Sequence, residues 1–380
     1  MSDHEWLPNT RLRSAANTRH AARGEGMSAS YRAGIVGCSG IAIARGERSA
    51  GPYRSPLPHS HAAAFNATPN AQVVAVCDIF QSALDNYVST WGTANTYLDF
   101  REMFEKEQLD LVSIVTPDHL HADVFVAACD AGVKGIFCEK PISTTIADAD
   151  RMVNAAERSG VKVVVNHTRR FDPFYRHAKW LVERGTIGEI RSVVGSMGGE
   201  RAMLFRNGTH VVDTMLFFID AQPTWLFAEL ADADAGYGPV YKGDGGRDPR
   251  TDPAASALIG FSNGARAFYN GSKETVTNFE IDVQGTKGRI QIGNQVAQLS
   301  LESAFGGLAS QPLPLQADSR AGMVVAIEAL IDLIENDGDG VAALRAARTT
   351  LTVLLGMLES ADRGGARINL ANAVAVQARG

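Results

Sequence analysis

Cysteine is scarce in this chain of 380 residues. Only Cys38, Cys77, Cys129 and Cys138 occur. Their spacings contain no CxxC pair and no zinc pattern, so neither a disulfide framework nor a structural zinc site is expected. They read as small apolar core residues of a reducing compartment, which makes the chain cytoplasmic. Long apolar runs are missing too. The best candidate, around Met215–Ile219, falls far short of the ~18 residues a membrane span needs. Positive charge is not in excess: 36 Lys and Arg stand against 42 Asp and Glu, with no basic stripe, which argues against nucleic-acid binding. No GxSxG elbow, HExxH pair or phosphate-binding GKS/T sequence is present. Residues 1–30 carry Arg11, Arg13, Arg19 and Arg23 but no apolar h-region and no twin-arginine pair. They are expected to form a loose extension and not a secretory signal.

What is present is an ordinary globular composition, 45% hydrophobic and 21% charged, long enough for two domains. Short apolar runs at 33–36, 73–77, 111–115, 135–138 and 161–165 alternate with helical patterns at about 80–91, 99–107, 119–132 and 143–159. Such alternation predicts a parallel sheet with helices on both faces, an α/β Rossmann domain over 31–168. The rhythm then changes. After a helix at about 174–184, strand-like runs are split by Ser262-Asn263-Gly264 and by Thr286-Lys287-Gly288, both hairpin signals. Residues 169–380 therefore read as an α+β domain on a large, mostly antiparallel sheet. Helices at about 320–336 and 340–361 close it, with room to pack back on the first domain. The Gly-, Asp- and Pro-rich stretch 231–253 reads as a mobile loop.

Gly37, Ser39, Gly40 and Ile41 follow the first apolar run as a candidate pyrophosphate turn, with Ser39 where the usual fingerprint has its second glycine. A plain strand-to-helix glycine turn explains the same residues. Asp78 ends the second run, where a carboxylate would accept both ribose hydroxyls of an adenosine and repel a phosphate there, so NAD is expected over NADP. A helix-capping Asp is the competing reading. Asp78 lies about twice as far from Gly37 as the ~20 residues usual in this motif. The surplus is Arg45–Ser60, an irregular insertion on the ligand side of the sheet, in which Tyr53 offers a face for a sugar ring, Arg48 and Arg54 offer donors, and His59 and His61 lie where helix resumes. Lys140, in "CEKP" at a strand's carboxyl end, can hold a substrate hydroxyl and stabilise the developing oxyanion; an exposed lysine paired with Glu139 is the alternative. His210, opening an apolar helix, suits proton transfer; it reads equally as a capping or core histidine. The pairs His59/His61 and His119/His121 diverge on a helix, so no metal is expected.

Gly37-Cys38-Ser39-Gly40, Asp78, "TPDHLHA", "EKP", "RRFDP" and "GTHVVD" occur in the order found in the glucose–fructose oxidoreductase / inositol dehydrogenase / rhizopine-catabolism (Gfo/Idh/MocA) family, and the chain resembles that family over about 31–370. The resemblance implies an NAD-dependent oxidoreductase acting on a secondary hydroxyl or ketone of a sugar, cyclitol or glycoside, as a homodimer or homotetramer through its second sheet. It further implies that Lys140 binds the reacting oxygen and that His210 assists proton transfer. Thr116, Pro117, His121 and Glu139 match nicotinamide-side positions, and Arg169 and Arg170 lie close to cofactor or substrate. A redox-neutral glycosidase that uses bound NAD, and a non-catalytic NAD sensor, are the other readings. The sequence departs from the family at Ser39, in the 45–60 insertion, and four residues before His210, where an acid is usual and Arg206 stands, followed by Asn207. Arg206 either turns outward or faces a substrate anion.

Overall fold

Val, Ile, Ala and Cys crowd the first strands because the sheet they build is covered on both faces. A computed structural model describes residues 30–44, 58–92, 94–234, 236–243, 248–313 and 322–370. Strands β1 (Tyr31–Val36), β2 (Ala71–Cys77), β3 (Asn95–Tyr97), β4 (Leu111–Ile114), β5 (Gly135–Cys138) and β6 (Lys162–Val165) form a wholly parallel sheet in the order β3-β2-β1-β4-β5-β6. The order reverses between β1 and β4, which opens a crevice at their carboxyl ends, where ligands bind in such sheets. Helices α1 (His61–Asn66), α2 (Gln81–Trp91), α3 (Phe100–Lys106), α4 (His121–Asp130) and α5 (Ile146–Ser159) make the connections. Local chemistry sets their ends. In α5 the Thr145 hydroxyl accepts from the Asp148 N–H, and Gly160 stops the helix at φ +73°. The strand absent from the sequence reading is β3, three polar or half-buried residues at the sheet edge, where no apolar run is required.

Helix α6 (Pro173–Glu183) leads into the second unit. Here β7 (Ile190–Gly198), α7 (Gly208–Ile219), β8 (Pro223–Leu230), β9 (Ala255–Phe261), β10 (Arg266–Ser272), β11 (Asn278–Gly285), β12 (Gly288–Gly293), β13 (Ala297–Glu302) and β14 (Leu308–Pro312) precede helices α8 (Gly322–Glu335) and α9 (Ala342–Asp362) and the short β15 (Ile368–Asn369). The nine strands run β14-β13-β12-β11-β7-β10-β9-β8-β15, antiparallel except where β10 joins β7. Both predicted hairpins form, and Gly264 takes the left-handed φ of +85° that its turn requires. Alternating burial along β10 and β11 shows that one face is covered, by α7 among others, and one is open.

Helix α8 packs on β5, β6 and α1, so its Ile327 and Leu330 share a core with Leu111, Phe137 and Val164 of the first sheet. Helix α9 touches α5, β6, α7 and β8, and its buried Arg348 bonds Asp150 of α5 at 2.5 Å. The stretch 231–253 is held, not mobile, in its described parts. Asp234 pairs with Lys273 at 3.0 Å, Asp252 is 1% exposed, and Tyr241 stacks on Phe205 with centroids 3.8 Å apart. Gly and Asp content misleads there because the acids are consumed as acceptors inside the fold. The first 29 residues and most of the insertion, with Arg48, Tyr53 and Arg54, lie outside the described residues.

Candidate active site

At the end of β1 the chain must turn in little space. Gly37 has φ +94°, and a Cβ there would sit 2.6 Å from the Val115 carbonyl oxygen. Gly40 is also left-handed, at +54°, with open space where a side chain would be. Ser39 lies between them in ordinary extended backbone, φ −133°, so its departure from glycine costs no strain. Asp78 grips this turn. One carboxylate oxygen accepts from the Cys38 N–H at 2.8 Å and the other from the Phe80 N–H at 3.0 Å. Each oxygen keeps a further lone pair for a ribose hydroxyl. A close-approach glycine cradle with an acid at the next strand end fits a dinucleotide.

The ends of β4 and β5 are fixed by a buried polar chain. His61 places one ring nitrogen 2.5 Å from the Ser113 hydroxyl and the other 2.9 Å from Glu139 Oε1. Asn166 donates to the same oxygen at 2.5 Å, and the Lys140 N–H donates to Oε2 at 3.2 Å. Burial works to raise the Glu139 carboxyl, yet the His61 hydrogen bond, the Lys140 charge and Asn166 together hold it well below the usual carboxylate range. His121 faces carbonyl oxygens on both sides, Pro141 at 2.8 Å and Thr116 at 2.9 Å. It is fully buried and braces the two loops instead of lining a ligand site. Thr116 and Pro117 run along the β4 end beside it, Pro117 exposed. None of the histidines of the two HxH pairs joins a metal-like cluster among the described residues.

Lys140 is 6% exposed, and its Nζ donates to the Arg206 carbonyl at 2.7 Å. Burial, with the Arg206 charge next, pushes its ammonium down to about 8, against the opposing pull of Glu139 and Asp118. It lines a cleft of about 710 Å³ together with Ile41, Glu139, Asn166, Arg169, Arg206, Asn207 and His210. His210 sits in the first turn of α7. Its Nδ1 is buried and has no hydrogen-bond partner among the described residues. Burial, then the charges of Arg169 and Lys140, hold the imidazole well below its ordinary value, so it is neutral. No acid among the described residues is hydrogen-bonded to its Nδ1. The nearest carboxylate on its helix, Asp213, is spent on Arg170 at 2.9 Å, His167 at 3.2 Å and Thr350 at 3.3 Å.

The sequence-derived residues separate accordingly. Lys140, Glu139, Ile41, Arg169, Arg206, Asn207 and His210 converge on the cleft; Gly37, Ser39, Gly40 and Asp78 line the adjoining strand ends. Arg170 does not line the cleft. Its guanidinium is committed to Asp213, a buried carboxylate whose other partners, His167 and Thr350, bring it no positive charge. Arg206 does not turn outward; its side chain is 23% exposed and lines the cleft. Sequence reasoning passed over Asn166, Asp118 and Tyr241, and considered His61 as a metal ligand, which it rejected, and as part of the insertion, but not as a partner of Glu139. Tyr241 donates to Asp118 across 123 positions of chain, which no local pattern signals.

A doubly wound dinucleotide-binding sheet, joined to an open antiparallel sheet with a lysine and a histidine in the cleft between, defines an oxidoreductase architecture. The family models agree in both halves: residues 31–167 match "Oxidoreductase family, NAD-binding Rossmann fold" and residues 175–291 match "GFO/IDH/MocA C-terminal domain". The chain belongs to the Gfo/Idh/MocA family. It is 32% identical over 170 residues to the inositol 2-dehydrogenase of Salmonella typhimurium; that stretch is 43% of this chain and 49% of the relative, so the match spans about half of that protein's length. Against the inositol 2-dehydrogenase of Rhizobium meliloti it is 28% identical over 314 residues, 76% of this chain and 90% of the other. Among solved structures, levoglucosan dehydrogenase in complex with NADH shares the fold with a TM-score of 0.72 at 19% identity, over 90% of this chain and 99% of that one.

Proposed function

We propose that this chain is an NAD-dependent dehydrogenase that oxidises a secondary hydroxyl of a sugar, cyclitol or related polyol, or reduces the corresponding ketone. The observation that carries the reading is Lys140: a buried amine poised near 8, facing a polar cleft at the strand ends beside a dinucleotide cradle. The curated relatives named inositol 2-dehydrogenase and D-apiose dehydrogenase support the substrate class. When bound, the nicotinamide dinucleotide supplies the hydride acceptor. Lys140 takes the hydroxyl proton as the carbonyl forms, its amine held in place by the Arg206 carbonyl and its backbone by Glu139. A base with a pKa near the working pH is the efficient one. Neutral His210 orients the same hydroxyl by hydrogen bond, and its low basicity leaves the proton with Lys140. Screening sugars, cyclitols and glycosides with NAD⁺ for NADH formation tests the reading; NADH from none of them contradicts it.

Asp78 makes NAD the preferred cofactor, since a ribose phosphate would meet its carboxylate. NADH should bind more tightly than NADPH in fluorescence titrations, and Asp78→Ser should narrow the gap. Equal affinities in the unsubstituted protein would remove this role.

We further propose that the chain works in the cytoplasm as a homodimer or homotetramer; the open face of the second sheet supports the assembly. Phe227, Leu258, Phe268 and Val194 stand opposite one another across β8, β9, β10 and β7, with Phe227 39% and Phe268 43% exposed. Sedimentation should show an oligomer that Phe268→Asp shifts toward monomer. A monomeric unsubstituted protein would contradict it.

A further inference from the structure

The cleft holds more positive charge than a neutral sugar requires. Lys140, Arg169, Arg201 and Arg206 all line it. Three acids line it as well: Glu139 is engaged by His61 and Asn166, Asp172 by the Phe174 N–H at the start of α6, and Glu200 is exposed to solvent. Arg169 is engaged as well, lying 4.1 Å over the Phe279 ring. Arg206 differs. Its guanidinium makes no hydrogen bond among the described residues; the one carboxylate near it, Asp118, is 3.9 Å away. The other Asp118 oxygen accepts from Tyr241. Yet the Arg206 backbone is firmly placed. Its N–H and that of Phe205 donate to the two oxygens of buried Asp252 at 2.8 and 3.0 Å, and its carbonyl receives the Lys140 ammonium at 2.7 Å. A guanidinium fork is therefore fixed beside the amine that handles the reacting oxygen, and the positive end of α7 begins two residues later.

We infer that the substrate carries a carboxylate, as in an acidic sugar, and that Arg206 pairs with it while Lys140 holds the hydroxyl being oxidised. This rests on the dehydrogenase reading above and adds the substrate's charge. A planar fork matches a carboxylate with two parallel hydrogen bonds. A neutral sugar filling the cleft would strip water from Arg206 and leave it only the 3.9 Å ion pair with Asp118, which is costly. The carboxylate takes no part in the bond changes: the carbinol C–H leaves as hydride, the O–H proton passes to Lys140, and a carbonyl remains.

The test uses the full chain saturated with NADH. Calorimetric binding of D-glucuronate and D-galacturonate is compared with that of D-glucose, D-galactose and glucose 6-phosphate, in the unsubstituted protein, Arg206→Gln and Arg206→Lys. A uronate should bind at least about tenfold more tightly than its neutral parent; Arg206→Gln should weaken uronate binding by about 10–100-fold, as expected for a charged hydrogen-bonded pair. Arg206→Lys should recover part of it, and the NADH titration of each variant reports folding. No uronate binding, equal binding of the neutral sugars, tighter binding of the phosphate, or indifference to Arg206→Gln would each overturn the inference. NADH formation from the same compounds separates the two readings. Neutral sugars oxidised without uronate binding leave the dehydrogenase standing and remove the anion site. Arg206-dependent uronate binding without NADH formation from any compound does the reverse.

Discussion

Lys140→Met is expected to leave NADH affinity nearly intact and to lower turnover by about 10²–10³. Methionine fills the same channel, and exchanging a buried cation for an apolar chain of similar length is not expected to unfold the protein. On the proposed reading, what it removes is the group at the reacting oxygen. The pH dependence carries a second signature. Lys140 is pushed down to about 8 by burial and by Arg206. Oxidation needs its neutral amine, so kcat/KM for the alcohol should rise with pH and level off above about 8. Ketone reduction needs the ammonium and should fall over the same range. Steady-state kinetics in both directions check this. Turnover of the variant close to the unsubstituted rate would remove Lys140 from the chemistry.

His210→Ala is expected to slow oxidation by about 10–100-fold, the worth of one oriented hydrogen bond in a dry site, while the rise toward pH 8 persists. The smaller effect follows from its environment: a neutral imidazole, held down by burial and by Arg169 and Lys140, with no acid among the described residues hydrogen-bonded to its Nδ1. His210→Asn, which can still hydrogen-bond, should recover part of the loss. A loss at the upper end of the ~10²–10⁴ typical of general-base removal, with the pH limb gone, would transfer the proton to His210.

Much of this arrangement is legible in the sequence because it is local. The glycine turn, Asp78 at a strand end, Lys140 before a proline and His210 opening a helix are each specified by a few neighbouring residues. Short apolar runs mark the buried strands, and turn residues mark the two hairpins, for the same reason. What is illegible is long-range. Glu139 stays ionised in the interior with the help of His61, which reaches it from 78 positions away, and of Asn166 from 27, besides its neighbour Lys140. The HxH spacing gives no sign of what these histidines do; the fold spends His61 and His121 on bracing the β4 and β5 ends. Arg170 looked like a ligand for cofactor because nothing near it in sequence reveals the buried Asp213 it must neutralise. The polar loop 231–253 looked unattached for a similar reason: Tyr241 finds its partner in Asp118, just after β4, and Asp252 in the backbone of Phe205 and Arg206, all distant in sequence.

The central claim is hydride transfer from a carbinol carbon of the substrate, with Lys140 taking the proton. It is tested most directly with the best substrate of the screen, deuterated at that carbon, turned over with NAD⁺, and the products analysed by mass spectrometry. The account predicts one deuterium in the reduced nicotinamide for each carbonyl product formed. Release of a free sugar from a glycoside with no deuterium in the cofactor pool and no carbonyl product would contradict it.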